Sequence, residues 1–170
     1  MNKYKKGFTM IELLVVVALM TVALGVVTLS AASLSDSNQQ KCLYNIDSAI
    51  TRCKINTLYR AQPVVAFAVE GGRITARYYE DGELVDQKRM GSGVTVTYKV
   101  GDDVYDISER PLYIGFVRGK GSFKPLEDVE IEGVGGNSVE GECTEIRVAR
   151  GDSAYVITLV PATGNHKVGV

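Results

Sequence analysis

Apolar residues fill nearly all of 8–34 (FTMIELLVVVALMTVALGVVTLSAASL), and between Glu12 and Asp36 nothing is formally charged. As a helix this run is about 40 Å long at 1.5 Å per residue, enough to cross a ~30 Å hydrocarbon core with some tilt. Residues 33–40 (SLSDSNQQ) turn polar but hold no Pro or Gly, so the helix need not stop there. Beyond them Cys42, Ile46, Ala49, Ile50, Cys53 and Thr57 recur at steps of three and four, with Lys41, Asp47, Arg52 and Lys54 off the stripe. The pattern predicts one helix over 9–59, weakest near 33–39. Its first half suits a membrane or a bundle of other apolar helices, and its second half suits packing on a sheet. Two helices joined by a flexible linker are the alternative.

After Pro63 the period drops from 3.6 to 2. Residues 64–69, 73–79 and 83–90 read as strands separated by Glu70-Gly71-Gly72 and Glu80-Asp81-Gly82, which are hairpin signals. Residues 94–100 and 112–118 read as two more, and 129–132 as a short one before a glycine-rich loop at 133–141. Residues 145–150 and 155–160 form a hairpin over Gly151-Asp152, and 167–170 add an edge strand. The predicted class is α+β, one long N-terminal helix on a mostly antiparallel β domain. The chain divides into 1–7, 8–34, 35–60 and 61–170.

Charge changes this picture at one end. The 170 residues carry a formal net charge of −1, yet Lys3, Lys5 and Lys6 place +3 ahead of the apolar run and leave −4 for the rest. Such a balance argues against nucleic-acid binding by bulk charge. Basic residues before an apolar span and none soon after place the N-terminus in the cytoplasm and the β domain outside. The three cysteines, Cys42, Cys53 and Cys143, form no CxxC, and with one histidine in the chain they make no zinc pattern. Cys42 and Cys53 on one helix lie roughly 16 Å apart, too far for a disulfide. A bridge from Cys143 to either one, or three free buried thiols, both fit.

The front end admits three readings. A cleaved secretory signal would use Ser30-Ala31-Ala32-Ser33 as its site, but the apolar run is long and a charge sits at its start. A plain single-pass anchor leaves Glu12 as an interfacial residue. The third takes the letters in order: Lys5-Lys6-Gly7, then Phe8, then Glu12 four residues on, then the apolar helix. Gly7 lets an extended backbone enter a protease cleft just ahead of the helix. A carboxylate in lipid costs about 2–3 kcal/mol and normally has a partner.

This register resembles the class III signal of type IV pilins and pseudopilins. The resemblance implies cleavage between Gly7 and Phe8 by a prepilin peptidase, N-methylation of Phe8, and retention of the helix. It implies that Glu12 pairs with the Phe8 amine of a neighbouring subunit and so sets the register of a filament. It implies a lollipop architecture and, as partners, other pilin or pseudopilin subunits, an inner-membrane assembly platform and the lipid bilayer, with no cofactor. The protein would reside in the cytoplasmic membrane and then in a pilus or pseudopilus.

Two further stretches, residues 112–123 (LYIGFVRGKGSF) and 144–170, look like the H-type, FimT-like minor pseudopilins. Ile114, Phe116, Gly119, Gly121 and Phe123 carry the first likeness. Ile146, Val148, Ile157, Pro161, Thr163 and Gly164 carry the second.

Other chemistry is thin. Gly119-Lys120-Gly121 lacks the third glycine of a kinase loop, with Lys124 in its place, and reads as a tight turn. No GxxxxGK[ST] occurs. His166 reads as an exposed residue with no triad around it. Asp102, Asp103 and Asp106, and Glu127, Asp128, Glu130 and Glu132, lack the order of a calcium loop and read as solvated. Arg118, Lys120 and Lys124 around Phe116 and Phe123 make a small basic-aromatic cluster suited to weak nucleic-acid contact. The arginine pair of DNA-binding FimT-like C-termini is missing. The sequence thus favours a structural, non-enzymatic filament subunit. A membrane-anchored binding domain and a DNA-contacting minor pilin are the alternatives.

Overall fold

The computed structural model describes residues 9–58 and 62–169, and for residues 23–36 the backbone alone. Gly7, Phe8 and the leader at 1–7 lie outside the described residues. Helix α1 runs without a break over Met10–Leu58. The polar stretch at 33–40 therefore does not interrupt it, as the absence of Pro and Gly predicts. Two compact units divide at Ser37. The first is a helix, and the second contains residues 38–58 of the helix and all of the sheet.

Among the described residues of the second unit eleven strands follow: β1 Pro63–Glu70, β2 Arg73–Glu80, β3 Glu83–Ser92, β4 Thr95–Val100, β5 Asp103–Asp106, β6 Leu112–Gly115, β7 Glu130–Ile131, β8 Gly135–Gly136, β9 Cys143–Arg150, β10 Ser153–Val160 and β11 Asn165–Gly169. They form a four-stranded sheet in the order β3-β2-β1-β6 and a five-stranded sheet in the order β11-β10-β9-β4-β5, with β7 and β8 paired separately. All pairings are antiparallel. The fold is α+β.

The apolar stripe accounts for what the second unit buries. Cys42, Ile46, Ala49, Ile50 and Cys53 are at most 1% exposed. They share one cluster with Val65, Phe67 and Ile74 of the first sheet and Tyr98, Ile146, Val148 and Ile157 of the second. Each large apolar side chain so buried contributes about 1.5–3 kcal/mol. A smaller cluster of Ala66, Tyr79 and Ile131 covers the other face of the first sheet, which is why β1 is buried on both faces rather than on alternate residues.

Two amide side chains in this unit find their partners far along the chain. Gln39 is 1% exposed, and its Nε2 donates to the carbonyls of Val148 (2.9 Å) and Ser153 (3.1 Å) while Ser153 Oγ donates to its Oε1 (2.8 Å). Asn137 does for an edge what a strand would do. Its Oδ1 accepts from Tyr113 N and its Nδ2 donates to Tyr113 O, both at 2.9 Å, so it seals the open side of β6. The three cysteines are free and buried, and the Cys143 bridge does not form. Burial pushes all three thiols up to about 12, so they stay protonated and inert at neutral pH.

Three expectations need correction. Residues 103–106 form an edge strand, β5, that the predicted set lacks, held by β4 from Thr97 to Val100, with Asp103 and Asp106 at its ends as the expectation of solvated strand ends and loops has them. Its acids mask two intervening residues of strand type. The strand at 112–118 ends at Gly115, because Val117 already accepts from Lys120 N and Gly121 N in a tight turn. Within the loop at 133–141, Gly135–Gly136 pairs with β7, and a Cβ on Gly136 would sit 2.7 Å from Val129 O.

Candidate assembly site at the helix start

The described helix opens on Thr9, just before Met10. Thr9 Oγ1 lies 3.3 Å from Glu12 N and accepts its proton. Glu12 Oε2 in turn accepts from Thr9 N and from Thr9 Oγ1, each at 3.1 Å. This is a reciprocal capping box, in which the residue before the helix and the third residue within it satisfy each other's orphan donors. A carboxylate there is also favoured by the positive end of the helix dipole. The acid in the apolar run thus has a partner inside its own chain. The signal was legible as Thr9-x-x-Glu12, and reading Glu12 only against Gly7 and Phe8 misses it. Oε1 accepts no bond among the described residues, so one oxygen caps the helix and the other remains open to an incoming donor.

The helix beyond the cap is uncovered. Met10 is 83% exposed, Leu14 60%, Leu19 65% and Val22 67%, and the exposed apolar residues fall on every side of the axis. A helix apolar all round needs an apolar medium or other helices around it. Among the described residues, no helix is long and apolar enough to cross a membrane. The described side chains cover only residues 10–22 of the 8–34 run.

The other candidates change character. Phe116 and Phe123 are 3% and 9% exposed, and their rings stack on each other at 4.5 Å. They are core residues and offer no face to a base, so the basic-aromatic cluster loses its aromatic half. Arg118 and Lys120 are exposed. Lys124 lines a cleft of about 200 Å³ together with Asp81, Asp128, Glu130 and Glu132, poor company for a phosphate.

His166 is not a free surface residue. Its side chain is 11% exposed, and Nε2 lies 3.0 Å from Asp47 Oδ1 and 3.2 Å from Thr51 Oγ1. Both contacts fall on one ring nitrogen, whereas a relay needs the carboxylate on one nitrogen and the nucleophile on the other. The cluster ties β11 to the helix. Among the described residues no group of three or more His, Cys, Asp or Glu is placed to hold a metal ion.

The two looser motifs meet each other. Phe123 N donates to Pro161 O at 3.0 Å, and Lys54 Nζ donates to the carbonyls of Thr163 and Gly164 and to Asn165 Oδ1. Gly164 has φ +63°, and a Cβ there would stand 1.8 Å from Gly121 O. Only glycine permits that approach. The pattern at Gly121, Pro161 and Gly164 is therefore explained by packing, and Gly119, at φ +78° with open space around it, by the turn alone.

Comparison with curated proteins and with solved structures returns no match. Residues 2–28 match the family model of the prokaryotic N-terminal methylation motif. The match spans Gly7, Phe8, Thr9 and Glu12 and most of the exposed apolar helix. The chain carries that motif at its N-terminus, which supports a type IV pilin-like or pseudopilin protein and implies processing by a prepilin peptidase and assembly with other pilin subunits.

Proposed function

We propose that this chain is a structural subunit of a type IV pilus or of a secretion or competence pseudopilus. A prepilin peptidase cuts between Gly7 and Phe8 and methylates the new Phe8 amine. The 8–34 helix holds the subunit in the cytoplasmic membrane with the β unit outside, and later enters the filament core. The observation that carries this reading is the motif match at residues 2–28 on a helix whose apolar residues are exposed on all sides.

Glu12 then has two tasks. Oε2 fixes its own helix start through Thr9, and the open Oε1 receives the Phe8 amine of a neighbour displaced by about the Phe8–Glu12 rise of roughly 6 Å. Cap and register share one carboxylate. The likeness of residues 112–123 and 144–170 is what supports a place near the H-type minor pseudopilins.

N-terminal mass analysis of the protein from its native membrane tests the proposal. A mature chain beginning at methylated Phe8 is expected. An intact Met1, or a start near Ala32 or Ser33, would contradict it and favour a membrane-anchored binding domain or a secreted one.

A further inference from the structure

A groove of about 310 Å³ opens in the second unit where the helix enters it, lined by Asn38, Lys41, Asn45, Arg73, Arg89 and the backbone of 90–92. Its floor is built by two contacts. Asn45 Nδ2 donates to Met90 O at 2.9 Å, at the irregularity where β3 slips against β2. Gly91 comes so close that a Cβ on it would stand 2.9 Å from Cys42 Cβ. Lys41, Arg73 and Arg89 are exposed, and among the described residues no carboxylate lines the groove. The nearest acid by register, Glu70 opposite Arg73, is engaged by Arg77 and Gln87. Among the described residues the three cations have no acidic partner.

The register and the Asn56–Glu80 bond put Glu80, Asp81, Glu83, Asp102, Glu140 and Glu142 at the end away from the groove, while Glu70, opposite Arg73, and Asp152, in the turn before the Ser153 that Gln39 binds, lie at the groove end outside its lining. The groove end is the tethered end. Four peptide steps separate Leu34, where the apolar run stops, from Asn38, so the two stay within about 14 Å whatever the angle between the units. The Debye length is about 8–10 Å at physiological salt and about 30 Å at 0.01 M, so charges there sense a lipid surface most strongly at low salt.

We propose that the Lys41–Arg73–Arg89 groove binds the phosphate of an anionic lipid headgroup while the subunit waits in the membrane. The proposal rests on the pilin-like reading, which puts residues 8–34 in the bilayer. Arg73 and Arg89 supply planar donor forks suited to phosphate oxygens, and Lys41 supplies a point charge. The lining, free of acids among the described residues, admits the anion. Entry into a filament exchanges that headgroup for protein neighbours, so the groove acts as a holding contact for the unassembled subunit.

The test uses the full-length chain reconstituted into vesicles of phosphatidylcholine alone or mixed with phosphatidylglycerol. Flotation with the pure phosphatidylcholine vesicles reports membrane residence. Lipids retained on the extracted protein, counted by native mass spectrometry, report the groove. The wild type is expected to float on both and to enrich phosphatidylglycerol. Lys41→Gln, Arg73→Gln and Arg89→Gln together should leave flotation intact and cut the enrichment, by roughly fivefold for each basic residue removed at low salt. A control with Arg118, Lys120 and Lys167 changed to Gln should keep the enrichment. Failure to float overturns both the membrane reading and the inference. Flotation without phosphatidylglycerol enrichment, or equal loss in the control, overturns the groove alone. Displacement by inorganic phosphate beyond matched chloride, or by a single-stranded oligonucleotide, would assign the groove to a free anion or to nucleic acid and likewise overturn it.

Discussion

The first helical turns and the C-terminal turn at 161–164 obey opposite rules. Between Leu13 and Val22 the described side chains are apolar or small, exposed and held by nothing but the helix itself. What such a segment requires is a composition. Around Gly164 a single added carbon would overlap the Gly121 carbonyl. What that turn requires is an atom-by-atom fit. Under the proposed function the residues that serve assembly are the open ones, while the motif residues around Gly164 in the β unit are consumed by packing.

Gly164→Ala breaks that contrast most directly. The positive φ and the clash with Gly121 O should together cost about 3 kcal/mol, seen as a lower urea midpoint of the full-length chain in detergent. Leu14→Ile, on the exposed helix, should leave the midpoint within error. If Gly164→Ala is also neutral, the two motif stretches do not constrain each other.

Gln39→Leu ranks next. It strands the carbonyls of Val148 and Ser153, and a buried acceptor left unpaired costs about 1–3 kcal/mol. The same urea series reads it. Ser153→Ala removes one donor of the same network and should cost less.

The smallest effect belongs to Asp86, held below the usual carboxylate range first by the hydrogen bond from Arg52. A lowered folded-state pKa gives stability that is present above the unfolded value of about 3.9 and is lost as pH falls through the folded one. Asp86→Asn should therefore lower Tm slightly at pH 7 and leave it unchanged near pH 2. The pair is exposed, so the deficit at pH 7 is small. An equal deficit at both pH values would mean that the ion pair is not its source.

Local pattern carried much of this fold. The stripe from Cys42 to Thr57 named the buried helix face, and Gly71-Gly72, Gly82 and Gly151 named the hairpins, because both signals depend on spacing alone. Long-range partners were illegible. Gln39 looked like a polar linker residue, yet its partners lie more than a hundred residues away. Asn137 sat in a glycine-rich loop with nothing to show that it finishes a sheet edge. His166 and the stacked pair Phe116–Phe123 were misjudged for the same reason, since exposure is set by which distant element lies on top. Strand β5 was hidden because acids fill both its ends. At the assembly site Gly7, Phe8 and Glu12 were read from register, while Thr9, adjacent to them, was overlooked as a cap.

The cap sharpens the central claim, because the proposal gives Glu12 two roles that a single alanine variant cannot separate. Glutamine can fill the third position of a capping box as well as glutamate does, but it carries no charge. The decisive measurement is the amount of Glu12→Gln subunit in sheared filaments, with Thr9→Ala alongside as the variant that loses the cap and keeps the acid. The account predicts that Glu12→Gln inserts in the membrane and is cut normally, yet falls out of filaments, while Thr9→Ala stays near the wild-type level. Glu12→Gln at the wild-type level, with Thr9→Ala depleted, would show that the carboxylate serves its own helix and that no charge passes between subunits.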